Sequence, residues 1–397
     1  MVLGCGATTI SMGGDTAGSD DGLESVAGDG ETAVEEGPPP DSERVFSLDT
    51  LHTLDFTLGD RELDDLRRDP YTFVVGDVQF DGADFVSVGV RLKGRLGSFR
   101  DLNAKAAFKI DFNAFGGTAE LEGLETLNVN NMVQDCAFVH EWAAYAMFRA
   151  IDLPAARVGW AWVRVNGADY GVYSLVEEYD AEFLKGWYPD PTGNLYDGDY
   201  VLDSGWSYTL VDFNAATQDL FELDEGVDVG RDDVHAITSA RRGGDFQPDL
   251  GSLVDLDAFA RFQAATAWIG HSDSYIYYSN NYRVYFDVAD GRAEFFPWDP
   301  DWAFYDQTAL ASPYGLLAQD CKADPTCHAA FLDTIIELNT VGPELLPELE
   351  RAIELVTPSI ADDPRAETDP RTARACQDAL RTWFTERGDV LDGVTGL

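Results

Sequence analysis

Hydrophobic and polar residues alternate with a period of two along much of the first third of the chain. The segments 51–58, 73–80 and 85–92 each place apolar residues at every second position, and Asp81-Gly82 lies between the last two. This alternation indicates half-buried β-strands, and an Asp-Gly pair between two such runs indicates a hairpin turn. Residues 60–68 read as a short helix.

The same reasoning extends over the rest of the chain. It predicts a strand at 108–112, hairpins at 160–176 and 282–296, helices at 135–150 and 256–269, and tail helices at 329–339, 344–356 and 372–387. Residues 187–250 read as loop-rich. Strands concentrated early and helices late predict an α+β fold.

The charge of the chain is extreme, and it restricts the class of partner. Among 397 residues there are 72 acidic and 27 basic side chains, a net charge of −45, while 45% of residues are apolar. Because such an acidic surface repels phosphate backbones, we expect no nucleic-acid partner. Solubility is the simplest interpretation of the excess. Since only five basic residues are lysines, each lysine is a candidate for a specific role.

The first residues suggest export. Val2-Leu-Gly-Cys5 is similar to a bacterial lipoprotein cleavage box, and the rest of 1–42 has the composition of a disordered acidic tether. Because no run approaches a membrane span, a lipid anchor at Cys5 is the expected membrane attachment; the alternative is a chance four-residue match. Cys321 and Cys327 are expected to form a small disulfide loop, as in an exported protein. We therefore predict the bacterial cell envelope or the extracellular space.

One stretch, 271–302, carries most of the candidate chemistry. It holds Asp273, the amide pair Asn280 and Asn281, and the carboxylates Asp299 and Asp301. A hairpin over 282–296 would bring Asn281 and Asp299 to the same end. Amide and carboxylate oxygens suit Mg²⁺, and Asp273 is free to act as a base. The stretch predicts the catalytic half of a phosphotransferase.

A polar, glycine-bearing loop follows the strand at 85–92. It contains Lys93, Gly94, Arg95, Gly97 and Ser98. Its backbone amides and cations could hold phosphates. The alternative is an ordinary turn, because two glycines between strands usually form nothing more.

A buried ion pair is predicted between the next strand and the first long helix. Lys109 lies on the face of strand 108–112 opposite its apolar residues, and Glu141 falls within the apolar stripe of helix 135–150. An inward carboxylate needs a cation or strong donors, and Lys109 is the natural candidate. Alternatively, Glu141 reaches water at the edge of the stripe.

The order of these parts resembles the spore-coat protein H (CotH) family of atypical kinases. The resemblance covers about residues 51–304 and rests on the ordered motifs 92–100, 108–112, 135–149, 165–167, 171–177, 194–196, 273–281 and 297–301. It implies a two-lobed protein-kinase-like fold with a β-rich N-lobe at 43–180 and a helical C-lobe with inserted loops at 181–397. It also implies ATP, Mg²⁺ or Mn²⁺ as metal, and Ser or Thr hydroxyls of a protein as acceptors.

On the nucleotide side, the resemblance implies that Gly94, Gly97 and Ser98 lie over the phosphates. It implies that Lys109 holds the α- and β-phosphates with Glu141 as its ion-pair partner. Glu177 and its neighbours would form the hinge that touches adenine. Lys93 and Lys105 compete with Lys109 for the phosphates.

On the acceptor side, the resemblance implies that Asp273 orients or deprotonates the hydroxyl. Either Asn280 or Asn281 would bind metal, although these amides follow Asp273 by seven and eight residues, where ordinary kinases use five. Because the chain has no Asp-Phe-Gly, the choice between Asp299 and Asp301 as the metal-binding carboxylate is open.

Two other function classes remain. A non-catalytic surface binding or adhesion protein, a pseudokinase, would keep the fold without transfer. A hydrolase would use paired carboxylates such as Asp273 and Asp299 and would have no use for Lys109. Nucleotide binding separates the hydrolase from the other two. The sequence does not specify an oligomeric state.

Overall fold

Seven strands of the first half close into a barrel. The computed structural model describes residues 41–202, 207–243, 246–305 and 312–395, which belong to one compact unit, Pro40–Leu397. The elements of the barrel are β1 (Leu51–Thr57), α1 (Asp60–Arg68), β2 (Val74–Phe80), β3 (Ala83–Lys93), β4 (Ala107–Asp111), β5 (Thr126–Asn130), α2 (His140–Arg149), β6 (Val158–Val165) and β7 (Ala168–Val176). Their order around the barrel is β1-β2-β3-β4-β5-β7-β6, closed by a parallel pairing of β1 with β6.

The period of two explains the barrel, because one face of each strand fills its interior. Phe56, Phe80 and Phe108 are almost completely buried there. Burying each of these rings contributes about 2 kcal/mol. The predicted Asp81-Gly82 turn is confirmed, with positive φ at both residues, as a type I′ hairpin requires. The opposite face of the strands carries polar side chains in part, while Trp160, Val172 and Val176 on it pack into the core of the second half.

The second half combines helices with a small antiparallel sheet. Its elements are α3 (Ala181–Trp187), β8 (Asn194–Asp197), β9 (Val201–Leu202), β10 (Tyr208–Thr209), β11 (Glu222–Glu225), α4 (Asp232–Gly243), α5 (Leu256–Ile269), α6 (Tyr275–Tyr278), β12 (Tyr282–Phe286), β13 (Ala293–Pro297), α7 (Leu316–Ala323), α8 (Pro325–Glu344), α9 (Leu346–Ile360) and α10 (Pro370–Thr395). The sheet order is β11-β8-β12-β13. Helix α5 is buried along most of its length and packs against α8 and β13.

The α+β class is confirmed, whereas the division into two kinase-like lobes at residue 180 stays a prediction. Helices α1 and α5 have the predicted bounds, and the 282–296 hairpin is present. Strand β5 and helix α4 were not predicted. Residues Tyr275–Tyr278 form one helical turn, α6.

Helix α2 begins five residues later than predicted. Phe138 has a φ of 63°, which a continuous helix does not allow. Asp135 nevertheless caps the helix from the preceding loop, since its carboxylate accepts from the N–H of His140 at 2.7 Å. It also accepts from the N–H of Ala137 at 3.0 Å.

Two disulfides are present. Cys321–Cys327 confirms the prediction. Cys136–Cys376 was not predicted; it joins the loop before α2 to α10 across 240 residues. None of the helices in the described ranges is both long and apolar enough to cross a membrane.

A return segment, residues 361–369 between α9 and α10, packs back onto the barrel. Asp363 forms a buried ion pair with Lys105 and accepts from the N–H of Val172 at 3.0 Å. The guanidinium of Arg365 lies 3.4 Å from the ring centroid of Tyr170. Because Lys105 is committed to Asp363, it is not a competitor for phosphate, contrary to one of the predicted alternatives.

Candidate functional site

One outer face of the barrel carries a row of polar side chains. The strand register pairs Lys109 with Asn128 and Asn130 with Ser174. Paired residues share a face, and residues two apart share it too. Glu178, two residues beyond Val176, which pairs with Asn128, therefore points to the same face.

Lys109 pairs with Glu178 on this face. Asn128 Nδ2 also donates to Glu178, at 3.0 Å. Burial alone would raise the pKa of Glu178, but the ammonium of Lys109, with Lys93 and Arg283 farther away, lowers it to about 2. Glu178 is therefore ionised and holds Lys109 in place.

Glu177, the predicted hinge residue, turns the other way. Its carboxylate binds the guanidinium of Arg157, with Arg157 Nε donating at 3.0 Å, and it accepts from the N–H of Arg157 at 3.0 Å. The site side chain in this turn is thus Glu178 and not Glu177.

The predicted pairing of Glu141 with Lys109 is wrong. Glu141 is buried in the first turn of α2, where it accepts from Asn130 Nδ2 at 2.7 Å and from Ser174 Oγ at 2.9 Å. Burial, reinforced by the nearby carboxylate of Asp299, raises its pKa. The alternative that Glu141 reaches water is also wrong.

Lys93, at the end of β3, occupies the middle of the site. Its Nζ lies 5.6 Å from the ring centroid of Trp298, and the guanidinium of Arg283 lies 4.8 Å from the same ring. Burial lowers the pKa of Lys93, while the charges of Asp299 and Glu141 oppose that change. The indole is therefore a shared surface for two cations.

The loop after Lys93 depends on its glycines. Gly94 and Gly97 have φ values of 94° and 91°, where a Cβ is strained. A Cβ on Gly97 would also lie 2.9 Å from Gln134 Oε1. Ser98 Oγ accepts from the N–H of Arg95 at 3.3 Å. Arg95 in turn donates to the carbonyl of Tyr200 at 3.1 Å, so the loop contacts the second half of the chain.

The 282–296 hairpin brings Asn281 and Asp299 to one end, as predicted. Tyr282 pairs with Pro297, and the N–H of Trp298 donates to the carbonyl of Asn281 at 3.1 Å. The N–H of Asp299 donates to the hydroxyl of Tyr145 on α2 at 3.2 Å. Asp299 thereby lies between α2 and the hairpin.

Asp273 is held by both predicted amides. Its Oδ2 accepts from Asn280 Nδ2 at 3.2 Å and from Asn281 Nδ2 at 3.1 Å. Burial raises the pKa of Asp273 to about 6, with Asp299 adding to the effect. Asn280 Oδ1 accepts from the N–H of Tyr200 at 3.2 Å. Among the described residues, Asn281 uses only its nitrogens and its backbone carbonyl in hydrogen bonds.

The oxygen donors Asp299 and Asp301 follow the 282–296 hairpin, and Asn281 precedes it. Burial raises the pKa of Asp301 well above its usual range, and the charge of Asp299 adds to this. Burial also raises the pKa of Asp299, while the charges of Lys93 and Arg283 oppose that change. Across the described residues, no group of three or more His, Cys, Asp or Glu side chains is arranged to hold a metal ion. Mg²⁺ commonly uses only one or two carboxylates together with phosphate oxygens and water.

Sequence reasoning missed five polar residues of the site, and most of them lie on strands of the barrel or of the 282–296 hairpin: Asn128, Asn130, Ser174, Glu178 and Arg283. Arg283 is buried and pairs with Asp197 at 2.8 Å and Asp224 at 3.2 Å. The sequence signal that could have found these residues is the alternation of side chains along a strand with a period of two. Leu127 and Val129 point into the barrel, which places the asparagines of β5 outside, and the same count separates Glu178 from Glu177.

Comparisons with known proteins identify the family of the chain. The family model described as "CotH kinase protein" matches residues 90–340, more than half of the chain and the range that contains every candidate site residue. The chain is also similar to "Inner spore coat protein H" of Bacillus subtilis (strain 168), with 23% identity over 190 residues, 45% of this chain and 50% of that protein. The match thus spans about half the length of that relative.

Proposed function

Since the chain belongs to the CotH kinase protein family, we propose that it is an exported kinase that transfers the γ-phosphate of ATP to Ser or Thr hydroxyls of a protein. The barrel would be the nucleotide-binding half of a two-lobed, kinase-like arrangement. The observation that carries the proposal is the meeting of cations from the barrel with carboxylates from the hairpin. Lys93 and Asp299 are close enough that each changes the pKa of the other.

Lys93 and Lys109 are the proposed phosphate ligands, beneath the loop of Gly94, Gly97 and Ser98. Lys109 is oriented by Glu178, which takes the place that the family resemblance gave to Glu141. Two ammonium groups in a partly buried site can neutralise phosphate charge effectively, because screening by water is weak there. Glu177 supports the hinge through Arg157 and is not assigned a nucleotide contact.

Asp273 is the proposed aligner of the acceptor hydroxyl. With a pKa of about 6, it is ionised near neutral pH and still basic enough to accept a proton. The amides of Asn280 and Asn281 fix its carboxylate, which favours one orientation of the incoming hydroxyl. Catalysis by positioning is what phosphoryl transfer requires.

Asp299, Asp301 and Asn281 are the proposed ligands of Mg²⁺ or Mn²⁺. Asn281 is preferred to Asn280, because the side-chain oxygen of Asn280 already accepts from Tyr200. Asp299 is preferred as the principal ligand, since it lies among Lys93, Asp273 and Asp301. When bound, the ion supplies positive charge to the β- and γ-phosphates.

A location outside the cytoplasm is supported by the two disulfides, which persist in oxidising surroundings. It is also supported by the similarity to an inner spore coat protein. We propose the cell envelope, the spore surface or the exterior, with a protein as the acceptor and no nucleic acid, given the charge of −45. The suggested lipid anchor at Cys5 lies outside the described residues.

The test incubates the purified chain with γ-labelled ATP, Mg²⁺ or Mn²⁺ and a Ser-rich acceptor protein, and measures nucleotide affinity in parallel. We expect label transfer that falls at least 100-fold in Asp273→Asn, with nucleotide binding retained, and that is lost in Asp299→Asn. Asp219→Asn, which removes an exposed carboxylate bound to His235, is the matched control. Absence of label from a chain that binds nucleotide and metal contradicts the catalytic proposal.

A non-catalytic binding protein is the second candidate. It is favoured by one observation: within the described residues, Glu141 has no cation at ion-pair distance and instead accepts from two neutral donors. This class predicts nucleotide binding without transfer, and biological activity unchanged in Asp273→Asn. Failure to bind nucleotide at all would point to the hydrolase class.

A further inference from the structure

A second cavity, separate from the candidate site, lies on the far side of α2. It has a volume of about 490 Å³, and its lining includes four arginines, Arg44, Arg149, Arg157 and Arg351. The chain has 22 arginines against 72 acidic residues, so this concentration of guanidinium groups is unusual. Volumes of 300–1,000 Å³ are typical of small-molecule sites.

The four arginines of this cavity differ in how many of their N–H donors already have an acceptor. Arg44 is fully engaged, with Asp81 and Glu122 as partners. Arg157 binds Glu177 and Ser42, but its Nη1 is buried and has no partner among the described residues. A buried donor without an acceptor costs about 1–3 kcal/mol.

Arg149 and Arg351 add to this capacity. Arg149 donates from Nη1 to the carbonyl of Ala156, and no carboxylate in the described part of the chain comes within ion-pair distance of it. Arg351 uses Nη2 to bind Asp49 at 2.7 Å. Its Nε and Nη1 have no acceptor within the described ranges. Three guanidinium groups therefore present unused N–H donors around one space.

The remaining walls define the size and polarity of a ligand. Phe46, Leu48, Trp142 and Val158 supply apolar surface, and Phe46 lies under Arg157, with 4.7 Å between guanidinium and ring centroid. Glu43 and Glu348 also line the cavity, but neither forms an ion pair with its arginines within 4.0 Å in the described residues. Burial lowers the pKa of Arg149, and the charges of Glu177 and Glu348 oppose that change, but among the described residues neither carboxylate occupies its free N–H donors.

We propose that this cavity, the arginine pocket, is a binding site for a small organic anion: a phosphate or carboxylate group carried on an apolar body. Planar guanidinium groups bind such oxyanions through paired N–H donors, and the apolar wall receives the body. The site is independent of the proposed kinase cleft, although α2 contributes to both. Glu141 lies in its first turn, and Arg149 ends it.

The test titrates the full-length chain with phenyl phosphate and with benzoate by isothermal calorimetry, with benzyl alcohol as the uncharged analogue. We expect saturable binding of at least one anion and none of the alcohol. Arg149→Gln and Arg351→Gln should each weaken the binding at least tenfold. Arg61→Gln, at an exposed position on α1, should leave it unchanged.

The Lys93→Gln variant distinguishes anion binding in the arginine pocket from anion binding in the proposed kinase cleft. Loss of phenyl phosphate binding in that variant, with Arg149→Gln and Arg351→Gln unaffected, overturns the proposal, as does the absence of saturable binding by both anions. Equal affinity for benzyl alcohol overturns it too. If Arg149→Gln fails to fold, Arg351→Gln decides the question, because that side chain is 51% exposed and its loss leaves the packing intact.

Discussion

Lys109 pairs with Glu178 and not with the predicted Glu141. The strength of this pair can be measured as a coupling energy. Glu178 has a pKa of about 2 where 4.5 is usual, so its ionised form is stabilised by a net value of about 3–4 kcal/mol at 1.4 kcal/mol per pKa unit. Burial opposes this shift, and Lys93 and Arg283 share in it with Lys109. For the pair of Glu178 and Lys109 alone we expect a coupling of about 1–2 kcal/mol. The side chains are 19% and 13% exposed, so screening by salt should be weak.

A double-mutant cycle of Lys109→Met and Glu178→Gln tests this value. Met is unbranched and only one atom shorter than Lys, while Gln keeps the length of Glu and can still accept from Asn128. The free energy of unfolding in urea at pH 7 should show a coupling of about 1–2 kcal/mol. A second cycle of Lys109→Met with Glu141→Gln should show less than half of that.

The pH dependence gives an independent check on the sign. Since the pKa of Glu178 is lower in the folded chain than in the unfolded chain, the stabilisation is complete above about pH 4.5 and is lost as pH falls toward 2. The coupling should therefore shrink between pH 5 and pH 3. A larger coupling with Glu141 than with Glu178, or one that grows on acidification, would refute the assignment.

Three further perturbations have defined outcomes. Replacing Cys136 and Cys376 by Ser opens a 240-residue loop and should lower the free energy of unfolding by about 5 kcal/mol. Replacing Cys321 and Cys327, which close a six-residue loop, should lower it by about 2 kcal/mol. Equal losses in urea titrations would contradict the loop-length argument. Trp298→Leu removes the ring beneath Lys93 and should weaken ATP binding about three- to fivefold by calorimetry, with Trp298→Phe close to wild type; an unchanged affinity in the leucine variant counts against a role for the ring. Burial raises the pKa of Asp180 to about 7. The free energy of unfolding of the native chain should therefore fall as pH rises from 4 to 7, and that of Asp180→Asn should fall less. An equal fall between pH 5 and pH 8 in urea titrations of the two chains would exclude that effect.

Where the hydrophobic period was long, the sequence predicted the fold well. Helix α5 has both of its ends as expected, since Asp255 caps it and Gly270 closes it in the left-handed region. Strand β5 was missed, because five residues between two loops offer only two inward positions, Leu127 and Val129. A run this short gives a weak signal.

The error over Glu141 has a traceable origin. Its inward position was deduced from an apolar stripe along a helix over 135–150, but Phe138 has a left-handed backbone and the helix begins only at His140. Glu141 is buried all the same, for a different reason: it sits in the first turn against Asn130 and Ser174. Asp135 caps the helix from five residues before its first residue, and helix propensity does not predict the loop between the cap and the helix.

The pairing of Cys136 with Cys376 was out of reach for a different reason. Four cysteines allow three pairings, and only proximity in the folded chain selects among them. The contact depends on how α10 lies against the loop before α2, which no local pattern encodes. By contrast, Cys321 and Cys327 are six residues apart, and their pairing needs only a turn.

The return segment shows that the folding unit extends beyond the residues that the family model matches. The match ends at residue 340, yet Asp363 is the ion-pair partner of Lys105. A chain shortened at 340 would keep every residue of the proposed kinase cleft but lose the carboxylate that pairs with Lys105, and the loss of one partner from a buried ion pair costs about 3–5 kcal/mol. A relative that stops near that point must therefore carry an apolar residue where Lys105 stands, or recruit a carboxylate from another part of its chain.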